Sequence, residues 1–158
     1  MTPVSDPPGL PPGLPSGALS TAESNDLLGG LVRVLTVDRF RDHRGVLTPL
    51  SFDDIGFSVE RAFVVNAPLG AVRGGHAHRR VRQLLFRASG SIDVELSHAG
   101  LQARTTLDED RPALLLEPGV WAQQTYLDEG STLIVFADGP YDSGEYIHGE
   151  PSTPAARS

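Results

Sequence analysis

Two histidines one residue apart, His76 and His78, are the side chains of this sequence best suited to chemistry. They lie within residues 70–90, whose pattern predicts paired strands and turns. Residues i and i+2 of a strand project from the same face, so both imidazoles should point into one space. An unperturbed imidazole has a pKa of roughly 6.5, which lets it accept and donate protons near neutral pH. We therefore predict that His76 and His78 are catalytic acid and base groups.

The residues around the histidine pair do not complete a metal site. The spacing of glycines and histidines from Gly70 to Gly90 resembles the first signature of the cupin superfamily. Its metal-binding members take two His and a Glu from this stretch, and one more His from a second stretch. Here Gln83 stands at the Glu position and Ala122 at that of the last His. An amide is a poor replacement for a carboxylate, and two imidazoles hold an ion weakly. We predict no metal and no other cofactor.

The elements that must position these histidines are predicted to be strands of one all-β domain. The sequence contains 17 Gly and 13 Pro, more breakers than a helical bundle tolerates. Short apolar runs with turn signals every eight to twelve residues or so indicate a sandwich or barrel over residues 31–150. Residues 1–30 hold six of the 13 prolines, which predicts a disordered tail. Residues 151–158 are predicted to form a flexible C-terminal tail.

Charge and cysteine content exclude several classes of partner. The formal net charge is -7 and no run of basic residues occurs, which argues against nucleic acid and membrane surfaces as partners. There is no cysteine, so disulfides and thiolate chemistry are excluded. The N-terminus shows neither a signal peptide nor an apolar span. These features favour a cytoplasmic protein.

With its motifs taken in order, the sequence resembles the cupin-type dTDP-4-keto-6-deoxyglucose 3,4-ketoisomerases, from about Arg41 to about His148. The most specific match is the run from Arg73 to His78 followed by Gln83, because Gln is usual there in this family, which is thought to work without metal. The other matching points are Arg44-Gly45-Val46-Leu47, Arg61 with Phe63, Gly90-Ser91, Pro118-Gly119-Val120-Trp121, Tyr141-Asp142 and Glu145-Tyr146-Ile147. The resemblance implies a single-domain jelly roll, or double-stranded β-helix, in deoxysugar biosynthesis.

The family's reaction moves a ketone from carbon 4 to carbon 3 of the sugar through an enediol. By analogy, His78 is the base that removes and returns the carbon proton, and His76 shuttles a proton between the oxygens or polarises the carbonyl. Arg73 and Arg44 are predicted to hold the diphosphate or sugar, because a guanidinium can make two parallel bonds to phosphate. The other predicted substrate-binding residues are stacking aromatics, an orienting amide and one further guanidinium: Trp121, Phe63, Tyr141, Gln83 and Arg61.

Three departures from the family keep alternatives open. Phe63 replaces the family's active-site Tyr, Ala122 replaces a usual His, and His148 replaces an Arg. One alternative is a sugar-nucleotide 3,5-epimerase, which shares the fold and the Arg-Gly-x-His run. Another is a non-catalytic nucleotide-sugar-binding cupin that assists a glycosyltransferase. A metal-dependent oxygenase would require stoichiometric metal. The resemblance also implies a homodimer that exchanges N-terminal strands, with residues 31–40 as the exchanged segment.

Overall fold

The structure, a computed structural model, describes residues 19–148, and these are almost entirely β-strands and turns. Three short 3₁₀ turns interrupt the strands, at Leu28–Gly30, Asp53–Ile55 and Ser143–Glu145. The strands are β1 Leu19–Leu27, β2 Val32–Val37, β3 Phe40–Asp42, β4 Gly45–Leu47, β5 Arg61–Ala67, β6 Val72–His78, β7 Gln83–Ser89, β8 Ile92–His98, β9 Leu101–Leu107, β10 Ala113–Leu116, β11 Trp121–Tyr126, β12 Ser131–Ala137 and β13 Tyr146–His148.

Two antiparallel sheets face each other. The first has the order β1-β2-β10-β7-β12-β5, and the second has the order β13-β6-β11-β8-β9. Strands β3 and β4 form a separate hairpin. Apart from the pairs β1-β2 and β8-β9, neighbouring strands in the two sheets are far apart in sequence, as in the crossed connections of a jelly roll. The predicted all-β, double-stranded β-helix fold is confirmed.

The larger sheet is buried on both faces. Its inner face packs against the second sheet through residues such as Val34, Leu114 and Leu133. Its outer face carries Leu84 and Leu115, which are covered by a second cluster. That cluster includes residues of the segment between β4 and β5, namely Ile55, Phe57 and Phe52. Strands buried on both sides need no polar alternation, which explains the continuous apolar runs of β7 and β10.

The start of the domain differs from the predicted tail. Strand β1, which lies inside residues 1–30, pairs antiparallel with β2, and the register shifts between Thr21 and Asp26. Backbone hydrogen bonds to an edge are enough to hold such a strand, so its composition, poor in apolar residues, did not reveal it. Residues 1–18 and 149–158, which include the predicted C-terminal tail, lie outside the described residues.

No helix within residues 19–148 has the length and apolar character that crossing a membrane requires.

Candidate active site

A cavity of about 220 Å³ lies between the two sheets, and both predicted catalytic histidines line it. Its apolar wall comes mainly from the larger sheet and includes Val65, Leu85 and Val135. The polar side chains that line it are Arg73, His76, His78, Gln83, Glu117, Gln124, Tyr126 and Tyr146. The cavity therefore joins a hydrophobic wall to a small set of groups that can move protons or bind an anion.

Strand β6 carries a one-residue bulge that brings Arg73 to the same cavity as the histidines. His76 pairs with Ala122 of β11, but the next residue of β11, Gln123, pairs with Gly74, so Gly75 is the extra residue. In a regular strand, Arg73 and His76 would face opposite sides because their positions differ by three, an odd number. The bulge removes this difference, and Arg73 lines the cavity together with His78.

The bulge requires glycine at position 74. Gly74 has a φ of 81°, in the left-handed region that side chains rarely adopt. A Cβ at this position would lie 2.6 Å from Oε1 of Gln124 and 2.9 Å from the carbonyl oxygen of Ala122. Both distances are below any real contact of a Cβ. The glycine of the Arg-Gly-Gly-His run therefore permits the close approach of β6 and β11 that orients Arg73.

The two imidazoles are held in a form that can accept protons. The ring centroids of His76 and His78 are 5.2 Å apart. Burial, which has the largest effect, and the nearby His76 and Arg61 together lower the pKa of His78 to about 4, although the Glu145 carboxylate opposes them. Burial also lowers the pKa of His76. His78 is 7% exposed, and its Nε2 has no hydrogen-bond partner within the described part of the chain. A neutral, unpartnered nitrogen is what a base for a substrate proton requires.

Strand β13 adds a tyrosine that sequence reasoning did not select as a site residue. Tyr146 pairs with His78, and His148 pairs with His76. The ring of Tyr146 lies 4.7 Å from that of His76 and 4.8 Å from that of His78. It also lies nearly parallel to the ring of His148, with centroids 5.9 Å apart. The only sequence signal was its place in the Glu145-Tyr146-Ile147 match, since three residues are too few for a strand pattern.

Hydrogen bonds from the β6–β7 turn hold β13 in place. The backbone N–H groups of Arg80 and Val81 donate to the Glu145 carboxylate at 2.9 and 3.2 Å. The N–H of Arg79 donates to the Glu145 carbonyl at 2.9 Å. These bonds fix the residue directly before Tyr146. Because the same turn follows His78 in the chain, the histidine and the tyrosine are positioned by one element.

Three of the predicted substrate-binding residues form a group beside the histidines. The guanidinium carbon of Arg61 lies 5.1 Å from the ring centroid of Phe63 and 5.3 Å from that of Tyr141. Phe63 lines the cavity, and Tyr141 is 68% exposed. The ring of Tyr141 is 6.1 Å from that of Tyr146. Arg61 has no acidic partner in residues 19–148, and its buried Nε has no hydrogen-bond acceptor there.

Two predicted binding residues, Arg44 and Trp121, belong neither to the cavity of the single chain nor to the group beside the histidines. Arg44 lies on the β3–β4 hairpin, where its Nε donates to the Asp42 carboxylate at 3.1 Å. Trp121 lines a different cavity with Gln102 and Arg104 on the outer side of the smaller sheet. Side chains alternate along β11, so Ala122 faces inward and its neighbour faces outward. The predicted roles of Arg44 and Trp121 in binding therefore remain predictions without support from the cavity.

The donor set around the histidines does not fit a transition metal. Gln83 and Ala122 line the cavity at the two positions where metal-binding cupins have ligands. An amide oxygen is a weak ligand for such an ion, and a methyl group is none. In the part of the chain that is described, no group of three or more His, Cys, Asp or Glu side chains is placed to hold a metal.

The chain is similar in sequence and structure to sugar-nucleotide 3,4-ketoisomerases. The chain is 29% identical over 117 residues to the TDP-4-oxo-6-deoxy-alpha-D-glucose-3,4-oxoisomerase of Aneurinibacillus thermoaerophilus, covering 73% of this chain and 84% of the relative. The QdtA 3,4-ketoisomerase of Thermoanaerobacterium thermosaccharolyticum, a double mutant in complex with TDP, matches with a TM-score of 0.70 and 28% identity, covering 75% of this chain and 88% of QdtA.

A second solved structure gives the same result. The WlaRB TDP-quinovose 3,4-ketoisomerase of Campylobacter jejuni matches with a TM-score of 0.67 and 27% identity, covering 75% of this chain and 92% of WlaRB. The family model described as FdtA: WxcM-like, C-terminal matches residues 31–152. That match includes every residue that lines the cavity. The chain therefore belongs to the FdtA, WxcM-like C-terminal family.

Proposed function

We propose that this protein is a metal-independent 3,4-ketoisomerase that converts a dTDP-4-keto-6-deoxyhexose to the 3-keto isomer. The observation that carries the proposal is the pair of neutral, neighbouring imidazoles in a cavity without a metal-binding donor set. The named relatives act on, or bind, TDP-linked compounds of this kind. The cavity volume of about 220 Å³ is below the roughly 300 to 1,000 Å³ of most small-molecule sites, so it suits a sugar ring whose nucleotide stays outside.

His78 acts as the base in this reaction. The carbon 4 ketone acidifies the proton on carbon 3, which His78 takes as an enediol forms. His78 then returns the proton to carbon 4, and the ketone is left on carbon 3. A second proton must pass from the oxygen on carbon 3 to the oxygen on carbon 4, and His76 is the group beside His78 that can carry it. Both histidines are unchanged at the end of the cycle.

Two arginines are suited to the diphosphate. Arg73 is exposed at the edge of the cavity, and Arg61 lies beside the histidines, packed against Phe63 and Tyr141. Neither has a carboxylate partner within residues 19–148, so their charge is available to an anion. Their separate positions on β5 and β6 let them bind different phosphate oxygens.

The proposal includes a cytoplasmic homodimer that exchanges an N-terminal segment within residues 31–40. Within the single chain, β2 pairs with both β1 and β10, and the same pairings can form between two copies. Light scattering should give the mass of a dimer. A clean monomer at working concentrations would remove the dimer from the proposal and leave the chemistry untouched.

The isomerase is tested by proton NMR of dTDP-4-keto-6-deoxyglucose with the purified protein in heavy water. We expect a 3-keto product with the native protein, and His78→Asn should reduce its rate of formation by roughly 100- to 10,000-fold. Exchange at carbons 3 and 5 with inversion would indicate a 3,5-epimerase. Broadened nucleotide signals without any exchange would indicate a protein that binds the substrate and does not convert it.

A further inference from the structure

Hydroxyl groups are scarce in the cavity. Among its described lining residues, only Tyr126 and Tyr146 carry one, and Phe63 offers a ring without an oxygen. Tyr126 lies on β11 four residues beyond Ala122, the partner of His76, which is roughly 13 Å along a strand. Tyr146 instead contacts both imidazoles, at ring distances of 4.7 and 4.8 Å. One phenol therefore adjoins the histidine pair.

The proposed isomerisation needs a neutral proton donor at that place, and this inference rests on that proposed function. When His78 removes the carbon proton it becomes an imidazolium, and a second imidazolium at His76, 5.2 Å away, would repel it. The Arg61 guanidinium adds to this repulsion, and His148 does so for His76. The Glu145 carboxylate offsets part of this repulsion at His78. A neutral phenol can protonate the developing oxyanion without adding a positive charge.

We propose that Tyr146 is a catalytic residue that donates its phenolic proton to the oxygen on carbon 4. The donation accompanies removal of the carbon 3 proton by His78 and gives the enediol and a phenolate. His78 then protonates carbon 4, while the hydroxyl on carbon 3 gives its proton to His76. His76 passes that proton to the phenolate of Tyr146. The net change is one proton from carbon 3 to carbon 4 and one proton from the oxygen on carbon 3 to the oxygen on carbon 4.

The packing of Tyr146 suits this role. Its ring packs against the rings of His76, His78 and His148, and it is inclined by 13° to that of His148. The residue before it, Glu145, is fixed by three hydrogen bonds from the β6–β7 turn. A phenol packed against three imidazoles and fixed through its backbone keeps its hydroxyl near the reacting oxygens, which is the condition for efficient transfer.

The test compares Tyr146→Phe with the native protein, because this substitution removes the hydroxyl and keeps the ring. We expect Tyr146→Phe to lower kcat by roughly 100- to 10,000-fold, and deuterium exchange at carbon 3 to fall with it. Its KM, its affinity for TDP and its melting temperature should stay close to native.

Each other outcome has a definite meaning. If native protein is active and Tyr146→Phe retains its kcat, the role of Tyr146 is refuted and the isomerase stands. If Tyr146→Phe loses TDP binding in step with activity, the phenol serves binding, and the catalytic role is refuted. If native protein itself shows no exchange at carbon 3, the proposed function fails, and the role of Tyr146 fails with it.

Discussion

Gly74→Ala should impair this protein far more than Gly100→Ala, although the two glycines have the same backbone conformation. Both have a φ of 81°. The added methyl group at Gly74 would meet Oε1 of Gln124 and the carbonyl of Ala122, whereas at Gly100, in the β8–β9 turn, nothing lies within 4 Å. Gly100→Ala therefore reports backbone strain alone. Gly74→Ala reports strain plus the forced separation of β6 from β11.

The two costs can be separated in magnitude. A left-handed conformation costs an alanine roughly 1 to 2 kcal/mol, and this applies to both variants. The steric conflict at Gly74 adds roughly 1 to 3 kcal/mol, as overpacking does elsewhere. At roughly 2 to 4 °C per kcal/mol for a chain of this size, Gly100→Ala should lower the melting temperature by roughly 2 to 8 °C. Gly74→Ala should lower it by roughly 4 to 20 °C.

Ligand binding gives the sharper readout, because the bulge also orients Arg73. Hydrogen bonds to a charged group contribute roughly 1.5 to 3 kcal/mol, so displacing the Arg73 guanidinium should weaken TDP binding by roughly 10- to 150-fold. Titration calorimetry with TDP below the melting temperature of each variant measures this loss. Gly100→Ala should bind TDP as the native protein does. Equal affinities for the two variants would show that the bulge does not position Arg73 for the nucleotide, and the argument would be refuted.

Two further predictions concern the electrostatics of His78. Since the pKa of His78 is lowered to about 4, kcat/KM should stay high as the pH falls below neutral. At pH 5.5, about 97% of an imidazole with a pKa of 4 is neutral, whereas only about 9% of one with a pKa of 6.5 is neutral. A decrease of kcat/KM near pH 6.5 would contradict this. The stability of the fold should also decrease as the pH falls from about 6.5 towards 4, because in this range the unfolded chain binds a proton at His78 and the folded chain does not. Glu145→Ala removes the acceptor of the Arg80 and Val81 amides and a charge that raises the pKa of His78. The kcat of Glu145→Ala should fall because β13 is held less firmly, and the acidic decrease of its kcat/KM should move to lower pH. Glu145→Gln should retain more activity. A native kcat in Glu145→Ala would show that β13 does not need the Glu145 carboxylate to hold its position.

Much of the fold was predictable because its strands have strong local patterns. β5 and β7 to β12 correspond closely to the apolar runs of the sequence, and their turns contain Gly, Asp or Pro. The common face of His76 and His78 also follows from strand geometry alone, and the structure confirms that both line one cavity. These features depend on residues near one another in the chain, so periodicity was sufficient.

The orientation of individual binding residues was not predictable in the same way. Counting by twos along β6 places Arg73 on the face opposite the histidines, and only the bulge at Gly75 reverses this. The motif that contains Trp121 does not indicate which face of the sheet its side chain lies on. In the structure, the register of β11 places Trp121 on the outer face and Ala122 on the face towards the cavity. A single inserted or shifted residue determines which face of the sheet a side chain lies on. The position of that residue depends on pairing with strands that are distant in sequence.

Tyr146 shows why the chemistry of the cavity could be read only in part. A three-residue strand has no period, and nothing local distinguishes Tyr146 from Tyr141, which is largely exposed. What distinguishes it is the pairing of β13 with β6, held by the Glu145 carboxylate on amides of the turn after His78. The turn that follows β6 therefore also binds Glu145 and so holds β13, the strand that contains Tyr146. If that phenol is the proton donor, a ring without a hydroxyl at Phe63 costs the reaction nothing, because the hydroxyl enters the cavity from another strand.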